Sequence, residues 1–286
     1  MKRALFLVVL TTLAFTACHR VPDNKPEPVE QEQITLRHVA DERFYSVTIQ
    51  PSWEDTLFVF GIDNKLDVDW PDGLTPDAER ELMKKLFDDE TSTTFEEACE
   101  RMLSTNWFEE DEDMTIKEVR QSNELGDDEW YSYLMVESTA RTDGELLSVT
   151  INSEMYRAQA AHGIYYGREF IYDTRERKVV HLSDLVDTAL LGPVIMLAVE
   201  DLEVNADVRE VVHEEYGEYP SVTSLPVPDE FVIDSTRSTI VLYYQVYEIA
   251  CYASGAQAVV LPVFWLSKHL ELTPYAKKLF GPTAYL

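Results

Sequence analysis

The sequence predicts an α+β fold, in which an antiparallel β-sheet meander carries packed helices and two sub-domains form one unit. Strand-like segments with a two-residue repeat are grouped after residue 33, in the middle and near the end of the chain. Helix-like segments with a 3.6-residue repeat are grouped between them. Because strands and helices do not alternate strictly, this order favours α+β over a doubly wound parallel sheet.

The first segment after residue 33 predicts strands. Apolar residues alternate with polar neighbours, a short apolar run follows at residues 57–60, and three turn-forming residues come next. The alternating residues are Tyr45, Val47 and Ile49, and the turn-forming residues are Gly61, Asp63 and Asn64. We therefore expect the folded part to begin with β-strands that are interrupted by a turn after residue 60.

Two helices are predicted next. Thr75 is a cap that precedes Pro76 at the first helical position, and a second helix begins after Thr93 or Thr94, each of which forms a capping box with a glutamate. The first apolar face comprises Ala78, Leu82, Met83, Leu86 and Phe87, and the second comprises Phe95, Ala98, Cys99, Met102 and Leu103. Both faces should point to the core.

The middle of the chain predicts two hairpins. Residues 130–140 and 146–156 are strand-like and are joined by a loop that contains Asp143 and Gly144, a pair typical of tight turns. Residues 164–173 and 179–182 flank a second turn. These segments together predict the antiparallel meander.

The last third predicts further helices and strands. Residues 185–204 form the longest helical candidate, which Gly192 and Pro193 should kink or split. The predicted strands are residues 231–234, 240–250 and 258–263, and a short helix is expected within residues 267–280.

The N-terminus has the layout of an export signal. Lys2 and Arg3 precede an apolar stretch, and Thr16-Ala17-Cys18 resembles the lipobox of bacterial lipoproteins. We expect residues 1–17 to be a signal peptide, Cys18 to be the lipid-attachment residue, and the proline-rich residues 18–33 to be a tether. The alternative is an ordinary signal peptide that leaves a soluble protein. Either interpretation places the folded part outside the cytoplasm, and the first places it lipid-anchored at the outer membrane or periplasmic face of the envelope.

The charge of the chain restricts its partners. The formal net charge is −29, and loss of Lys2 and Arg3 with the signal would make it −31. The electric field of such a negative charge disfavours binding of nucleic acid and favours cationic partners. The same charge also keeps an exported protein soluble. After lipidation of Cys18, only Cys99 and Cys251 remain, which allows one disulfide or two buried free thiols.

The sequence assigns no catalytic residue, metal ligand or cofactor. The sequence contains no GxSxG, HExxH, P-loop or GxGxxG motif. His213-Glu214-Glu215 is the densest cluster of metal-ligand types, but its pattern favours an exposed acidic helix end over a metal site. Two hypotheses from other classes stay open: a cell-wall glycan enzyme that uses a pair of the abundant carboxylates, and a structural envelope protein without a soluble ligand.

Two tyrosine-rich segments, around residues 156–172 and 243–255, are the candidate binding regions. Tyrosine combines an apolar ring with a polar tip, which suits recognition of proteins or sugars. The candidate ligand-binding residues are His162, Tyr165, Tyr166, Tyr244, Tyr247 and Tyr252. The alternative is that these tyrosines are alternate residues of a half-buried sheet, with Gly163 and Gly255 at turns.

The same segments carry a resemblance to a known family. The stretches 161–163, 170–173, 181–185, 231–234 and 247–255 (AHG, FIYD, HLSDL, FVID and YEIACYASG) resemble successive signatures of the paired extracytoplasmic domains DUF4163 and DUF3298. Relatives include envelope lipoproteins, part of a peptidoglycan deacetylase, and the lysozyme-binding sensor half of RsiV-like anti-sigma factors.

The resemblance implies a DUF4163-like domain at residues 34–170 and a DUF3298-like domain at residues 171–286. It also implies a binding or sensing role, with a cationic protein such as lysozyme or a cell-wall glycan as partner. Arg177 stands where the family's turn usually has glycine, and Cys251 replaces a usual proline. No catalytic residue is carried over.

Overall fold

A computed structural model describes residues 33–106, 113–122, 130–217, 222–234, 236 and 238–284. Residues 34–286 form one compact unit. The predicted signal peptide, Cys18 and nearly all of the tether lie outside the described residues. The boundary proposed at residue 170 falls within a strand, and the division into two domains stays a prediction.

The fold is α+β, as predicted, and its main layer is a seven-stranded sheet. The strands are β1 (Thr35–Pro51), β2 (Phe58–Asp72), β3 (Met114–Ser122), β4 (Trp130–Asp143), β5 (Leu146–Tyr156), β6 (Ile164–Asp173) and β7 (Lys178–Val179). Their order is β3-β1-β2-β4-β5-β6-β7. All neighbours are antiparallel except β2 and β4, whose parallel pairing runs from Phe60 opposite Trp130 to Asp67 opposite Glu137.

The predicted turn at Gly61, Asp63 and Asn64 is wrong, because β2 continues through all three residues. Asn64 is fully buried, and its side-chain amide donates hydrogen bonds to the carbonyl oxygens of Leu103 and Thr105 at 3.1 and 2.9 Å. These two bonds satisfy the side-chain N–H groups and offset part of the cost of burying a polar residue in a strand, while Asn64 Oδ1 has no hydrogen-bond partner among the described residues. The hydrogen bonds also fix the segment that follows the second helix against the sheet.

The two predicted helices are confirmed. α1 (Pro76–Phe87) is capped by Thr75, and α2 (Phe95–Leu103) is capped by Thr94, whose hydroxyl accepts from the backbone N–H of Glu97 at 3.2 Å. Nine of the ten predicted apolar positions are buried; Phe87 is half-buried. These helices cover one face of β2, β4, β5 and β6, where Trp70 stacks on Phe95 with ring centroids 4.2 Å apart.

The meander from β4 to β7 confirms both predicted hairpins. Gly144 has φ +61° at the β4–β5 turn, a conformation that glycine adopts without strain. In the second hairpin, β7 comprises only Lys178 and Val179, and Leu182 begins a single 3₁₀ turn.

A three-stranded sheet in the order β10-β9-β8 forms a second layer. It is built from β8 (Glu230–Asp234), β9 (Thr239–Tyr244) and β10 (Gln257–Pro262), and its helices are α3 (Leu191–Asp201), α4 (Ala206–Tyr216), α5 (Val263–Leu266) and α6 (Pro274–Phe280). The two layers share a core, since Leu146 of β5 and Ile171 of β6 pack with Ile233 and Leu242.

The helix predicted at residues 185–204 starts later than expected. α3 begins at Leu191, so Gly192 and Pro193 lie in its first turn, where proline is tolerated. A side chain at position 192 would lie 2.4 Å from Ser224 Oγ and 2.7 Å from the carbonyl oxygen of Leu225. Gly192 therefore permits a close approach of the chain to the helix.

The strand predicted at residues 240–250 ends at Tyr244, and residues 246–248 form a turn in which Tyr247 has φ +72°. The short helix predicted within residues 267–280 is confirmed as α6. Cys99 and Cys251 both carry free thiols. Cys99 is buried, but Cys251 is exposed, because the segment that carries it lies beyond the end of β9.

Candidate functional site

Tyrosines and carboxylates cluster at one end of the large sheet, on the face opposite α1 and α2. Parallel pairing of β2 and β4 brings Asp63 beside Tyr131, whose hydroxyl donates to Asp63 Oδ2 at 3.0 Å. Glu154 of β5 lies opposite Tyr165 of β6 and accepts a hydrogen bond from the hydroxyl of Tyr133. We call this surface the tyrosine patch; it comprises Asp63, Tyr131, Tyr133, Glu154 and Tyr165.

The phenols of the patch are held in the neutral form. Burial and the charge of Asp63 raise the pKa of Tyr131, and the hydrogen bond to Glu154 together with burial raises the pKa of Tyr133. A hydrogen bond with Glu154 also raises the pKa of Tyr165. Phenols that stay protonated donate to the carboxylates, so the patch presents aromatic rings around negative charge.

The predicted residues His162 and Tyr252 meet beside the patch. Their rings stack with centroids 3.9 Å apart, and the hydroxyl of Tyr252 donates to the carbonyl oxygen of Gly163 at 3.0 Å. Tyr247 lies 5.8 Å from Tyr252 between ring centroids and is 64% exposed. The loop between β5 and β6 is thus attached to the segment that follows β9.

The remaining candidate ligand-binding residues do not lie together on one surface. Tyr165 is 53% exposed, whereas Tyr166 points to the other face of β6 because consecutive strand residues alternate. Arg168 lies over the ring of Tyr166 at 5.5 Å. Tyr244 is fully buried and donates from its hydroxyl to the carbonyl oxygen of Pro226 at 2.8 Å. Its side chain belongs to the core and presents no surface to a ligand.

A groove of about 410 Å³, which is not among the predicted binding regions, lies on the other face of the same sheet end. We call it the tryptophan groove. Its lining residues are Ile49, Pro51, Trp53, Phe58, Phe60, Met114, Trp130, Arg157, Ala158, Gln159 and Ala160. Trp130 contacts Phe58 and Phe60, with centroid distances of 5.6 and 5.3 Å. Tryptophans next to predicted strand ends are the signal that could have indicated it.

Two carboxylates, Glu169 and Glu230, converge where the two sheets meet. Glu230 accepts from Lys85 Nζ and from the backbone N–H of Glu169, both at 2.7 Å. Glu169 accepts from the Thr150 hydroxyl at 2.6 Å, and burial raises the pKa of Glu169. The space beside them is about 50 Å³, which is far below the usual size of a ligand site. This pair is a contact between layers.

Metal-binding geometry is absent from the part of the chain that the structure describes: no three or more His, Cys, Asp or Glu side chains converge there. His213, the centre of the cluster noted in the sequence, contacts Glu200 Oε1 through Nε2 at 3.0 Å. No helix among the described residues is both long and apolar enough to cross a membrane.

Comparisons with known proteins identify one family. Residues 202–263 match the family described as "Protein of unknown function (DUF3298)". A search of curated proteins found no match. The fold is similar to the crystal structure of a DUF3298-family member from Bacteroides fragilis, with a TM-score of 0.55, 17% identity, and coverage of 87% of this chain and 98% of that one.

A DUF3298-family protein from Pseudomonas aeruginosa has 14% identity, covers 86% of this chain and 97% of its own, and gives a TM-score of 0.49. The likeness to the Bacteroides protein concerns the fold alone. The match to DUF3298 covers residues 202–263, which include α4, β8, β9 and β10.

Proposed function

We propose that this chain is an exported binding protein of the bacterial cell envelope, anchored by a lipid on Cys18, that recognises a cationic protein such as lysozyme through the tyrosine patch. The observation that carries the proposal is the pairing of exposed tyrosines with carboxylates that have no basic partner within the described part of the chain. Among the described residues, neither Asp63 nor Glu154 forms an ion pair with Lys or Arg. Asp63 Oδ1 is buried and accepts no hydrogen bond from them.

Other acidic side chains are already paired with a basic residue of the chain. Glu100 is paired with Arg43 at 2.6 Å, and Asp72 is paired with Arg37 at 3.2 Å. Carboxylates already paired within the chain offer little to a basic partner. Asp63 and Glu154 are therefore available to a basic partner.

The rings of the patch add a second kind of contact. The faces of tyrosine rings attract Lys and Arg side chains, and one such contact contributes roughly 0.5–2 kcal/mol to binding. Tyr131 and Tyr165 are 40% and 53% exposed, so their faces are accessible. The net charge of −29 would raise the encounter rate with a basic protein at low salt.

The binding test uses the full chain and hen-type lysozyme at low and physiological salt. We expect micromolar or tighter binding at low salt that weakens as salt screens the charges. The double variant Asp63→Asn with Glu154→Gln should weaken binding by about tenfold. Glu210→Gln with Glu214→Gln removes the same charge from the exposed face of α4 and should change binding less than about twofold.

The outcomes separate two parts of the proposal. Absence of binding at micromolar concentration and low salt would remove lysozyme as the partner. Equal weakening by the two double variants would show that net charge, and not the patch, attracts it. The anchor is tested separately, by palmitate labelling with and without globomycin and with Cys18→Ala as control. Labelling of that variant would contradict the anchor.

A further inference from the structure

Side chains of the second layer bind the outer edge of β6. β6 pairs with β5 along its whole length, but its pairing with β7 covers only its last two residues. Earlier along this edge, Gln245 accepts from the N–H of Gly167 at 3.1 Å, and Glu230 accepts from the N–H of Glu169 at 2.7 Å. Because Glu230 begins β8 and Gln245 follows β9, these two hydrogen bonds attach the small sheet to the large one.

The side chain of Glu169 lies between the two layers. Glu169 is opposite Thr150 of β5, and Ile171, two residues further along β6, packs in the core that the layers share. Alternate residues of a strand point to the same face, so Glu169 points toward the small sheet. We call Glu169, Glu230 and Lys85 the carboxylate contact.

The two oxygens of the Glu169 carboxylate differ in their environment. Oε1 accepts from the Thr150 hydroxyl at 2.6 Å, whereas Oε2 is buried and accepts no hydrogen bond within the described part of the chain. The ammonium group of Lys85 is bound to Glu230 Oε1 at 2.7 Å. Ionised Glu169 therefore has a buried oxygen without a donor beside a second carboxylate, and both features cost free energy.

We propose that the carboxylate contact is sensitive to pH: gain of a proton by Glu169 tightens the attachment of the small sheet to β6, and loss of that proton loosens it. A protonated carboxyl group has no charge to repel Glu230, and its O–H group supplies a hydrogen-bond donor. This inference goes beyond the proposed function, because it concerns the contact between the two layers and involves no partner.

Other charged groups act on Glu169 as well. Burial raises its pKa and is the largest effect; the Thr150 hydrogen bond and the charge of Arg141 lower the pKa by less, and Glu230 raises it further. The remaining titratable groups that face the contact come from the surrounding elements and are Glu81 of α1, His181 after β7, Asp229 before β8, Tyr243 of β9 and Glu248 after β9.

The direction of the pH effect follows from linkage. The pKa of Glu169 is higher in the folded protein than the ordinary glutamate value of about 4.3. The protonated form therefore contributes stability that is complete below about pH 4.3 and is lost as the pH rises through the pKa of Glu169 in the folded protein. The contact should be tighter at pH 5 than at pH 8.

The test is hydrogen exchange of the backbone amides of β6 in the full chain carrying Cys18→Ala, with each rate divided by that of the unfolded sequence at the same pH. Opening of the Gly167 and Glu169 amides should increase by about threefold or more from pH 5 to pH 8. Glu169→Gln is neutral at every pH and keeps the oxygen that accepts from Thr150. It should retain at pH 8 the protection that the parent has at pH 5.

Two control variants exclude other groups. Histidines also change charge between pH 5 and pH 8, and His181 Nε2 lies 3.7 Å from Glu81 Oε2 beside the contact. His181→Gln should keep the pH dependence of the parent. Glu210→Gln removes the same charge as Glu169→Gln, but from the exposed face of α4, and it should also keep this dependence.

A second measurement needs no variant that could fail to fold. In the parent chain labelled with ¹³C-glutamate, the carboxyl resonance of Glu169 should titrate above the ordinary glutamate value. Titration at or below about pH 4.3 would overturn the proposal, as would equal protection of β6 at pH 5 and pH 8. Loss of the pH dependence in His181→Gln would assign the effect to that histidine and would also overturn it. None of these readouts involves lysozyme, so they leave the tyrosine patch untouched.

Discussion

The imidazole ring of His162 stacks on the phenol ring of Tyr252, with the ring planes inclined by 23°. His162 belongs to the loop between β5 and β6, and Tyr252 belongs to the segment between β9 and β10, so this contact joins the two sheets. The side chain of Gln245 strengthens the junction, because it accepts from the N–H of Gly167 at 3.1 Å and donates to its carbonyl oxygen at 2.6 Å.

The first prediction concerns this junction. Tyr252→Phe keeps the ring but removes the hydrogen bond to Gly163, and it should lower the free energy of unfolding by about 1 kcal/mol. His162→Ala and Tyr252→Ala each remove one of the stacked rings. Because the two rings touch, a double-mutant cycle of these two alanine variants by urea denaturation should give a coupling energy of about 0.5–1.5 kcal/mol. Additive effects of the two alanine substitutions would contradict a direct contribution of the stack.

The junction also shows what sequence patterns can and cannot reveal. Tyr244 and Tyr252 lie in one tyrosine-rich segment, yet Tyr244 is in the core and Tyr252 is only half-buried. The difference arises because β9 ends at Tyr244, and a strand ends where its partner strands end. Exposure of a tyrosine therefore depends on contacts with distant parts of the chain.

The helix caps were predicted well because they depend on nearby residues only. The caps Thr75 and Thr94 act through hydrogen bonds to residues three positions away, so their information lies within one turn of helix. Parallel pairing of Phe60 with Trp130 joins residues 70 positions apart. The tyrosine patch and the tryptophan groove both depend on that pairing, and no local pattern specifies it.

The second prediction concerns Arg177, which has φ +52° in the turn between β6 and β7. Asp173 organises this turn: its carboxylate accepts from the backbone N–H groups of Arg175 and Glu176 at 2.9 and 2.8 Å. A residue with a Cβ pays a steric cost in the left-handed region, whereas glycine does not.

We expect Arg177→Gly to raise the free energy of unfolding by up to about 1 kcal/mol, since relief of strain exceeds the gain of freedom in the unfolded chain. Glu176→Gly is the control, because Glu176 has an ordinary backbone conformation, and it should destabilise by roughly 0.5–1 kcal/mol. Thermal and urea denaturation measure both. Destabilisation of equal size in the two variants would show that the strain at position 177 is negligible.

The third prediction is a pH dependence centred on Asp89, which lies between α1 and α2. Its carboxylate accepts from the N–H and the hydroxyl of Thr91, both at 2.7 Å, and from Ser92. Burial alone would raise the pKa of Asp89, but the hydrogen bonds from Ser92 and Thr91 lower it well below its ordinary value. A carboxylate with a lowered pKa stabilises the fold at neutral pH.

That stabilisation should be complete above the pKa of an aspartate in the unfolded chain, about 3.9, and should be lost as the pH falls further. We expect Asp89→Asn to lower the free energy of unfolding at pH 7 by about 1–3 kcal/mol. The difference from the parent protein should shrink as the pH falls below about 4. A difference that stays constant from pH 7 to pH 3 would mean that lost packing, and not ionisation, causes the effect. The exposed Asp207→Asn is the control.

The last prediction uses the two free thiols as reporters of the fold. Burial raises the pKa of Cys99 to about 12, so at neutral pH this thiol is protonated and shielded. Cys251 is exposed, and a hydrogen bond from the Ser254 hydroxyl lowers the pKa of its thiol, with further help from the backbone N–H groups of Ser254 and Ala253. The two cysteines should therefore differ strongly in reactivity toward an aromatic disulfide reagent.

In the full chain carrying Cys18→Ala, we expect one thiol to react quickly under native conditions and a second to react only after denaturation. Cys251→Ser should remove the fast reaction, whereas Cys99→Ala should leave it unchanged. The fast rate should reach half its maximum below the pH that is usual for a free cysteine, because the thiolate is the reacting form. Two equally fast thiols would place Cys99 at the surface and contradict the packing of α2 against the sheet.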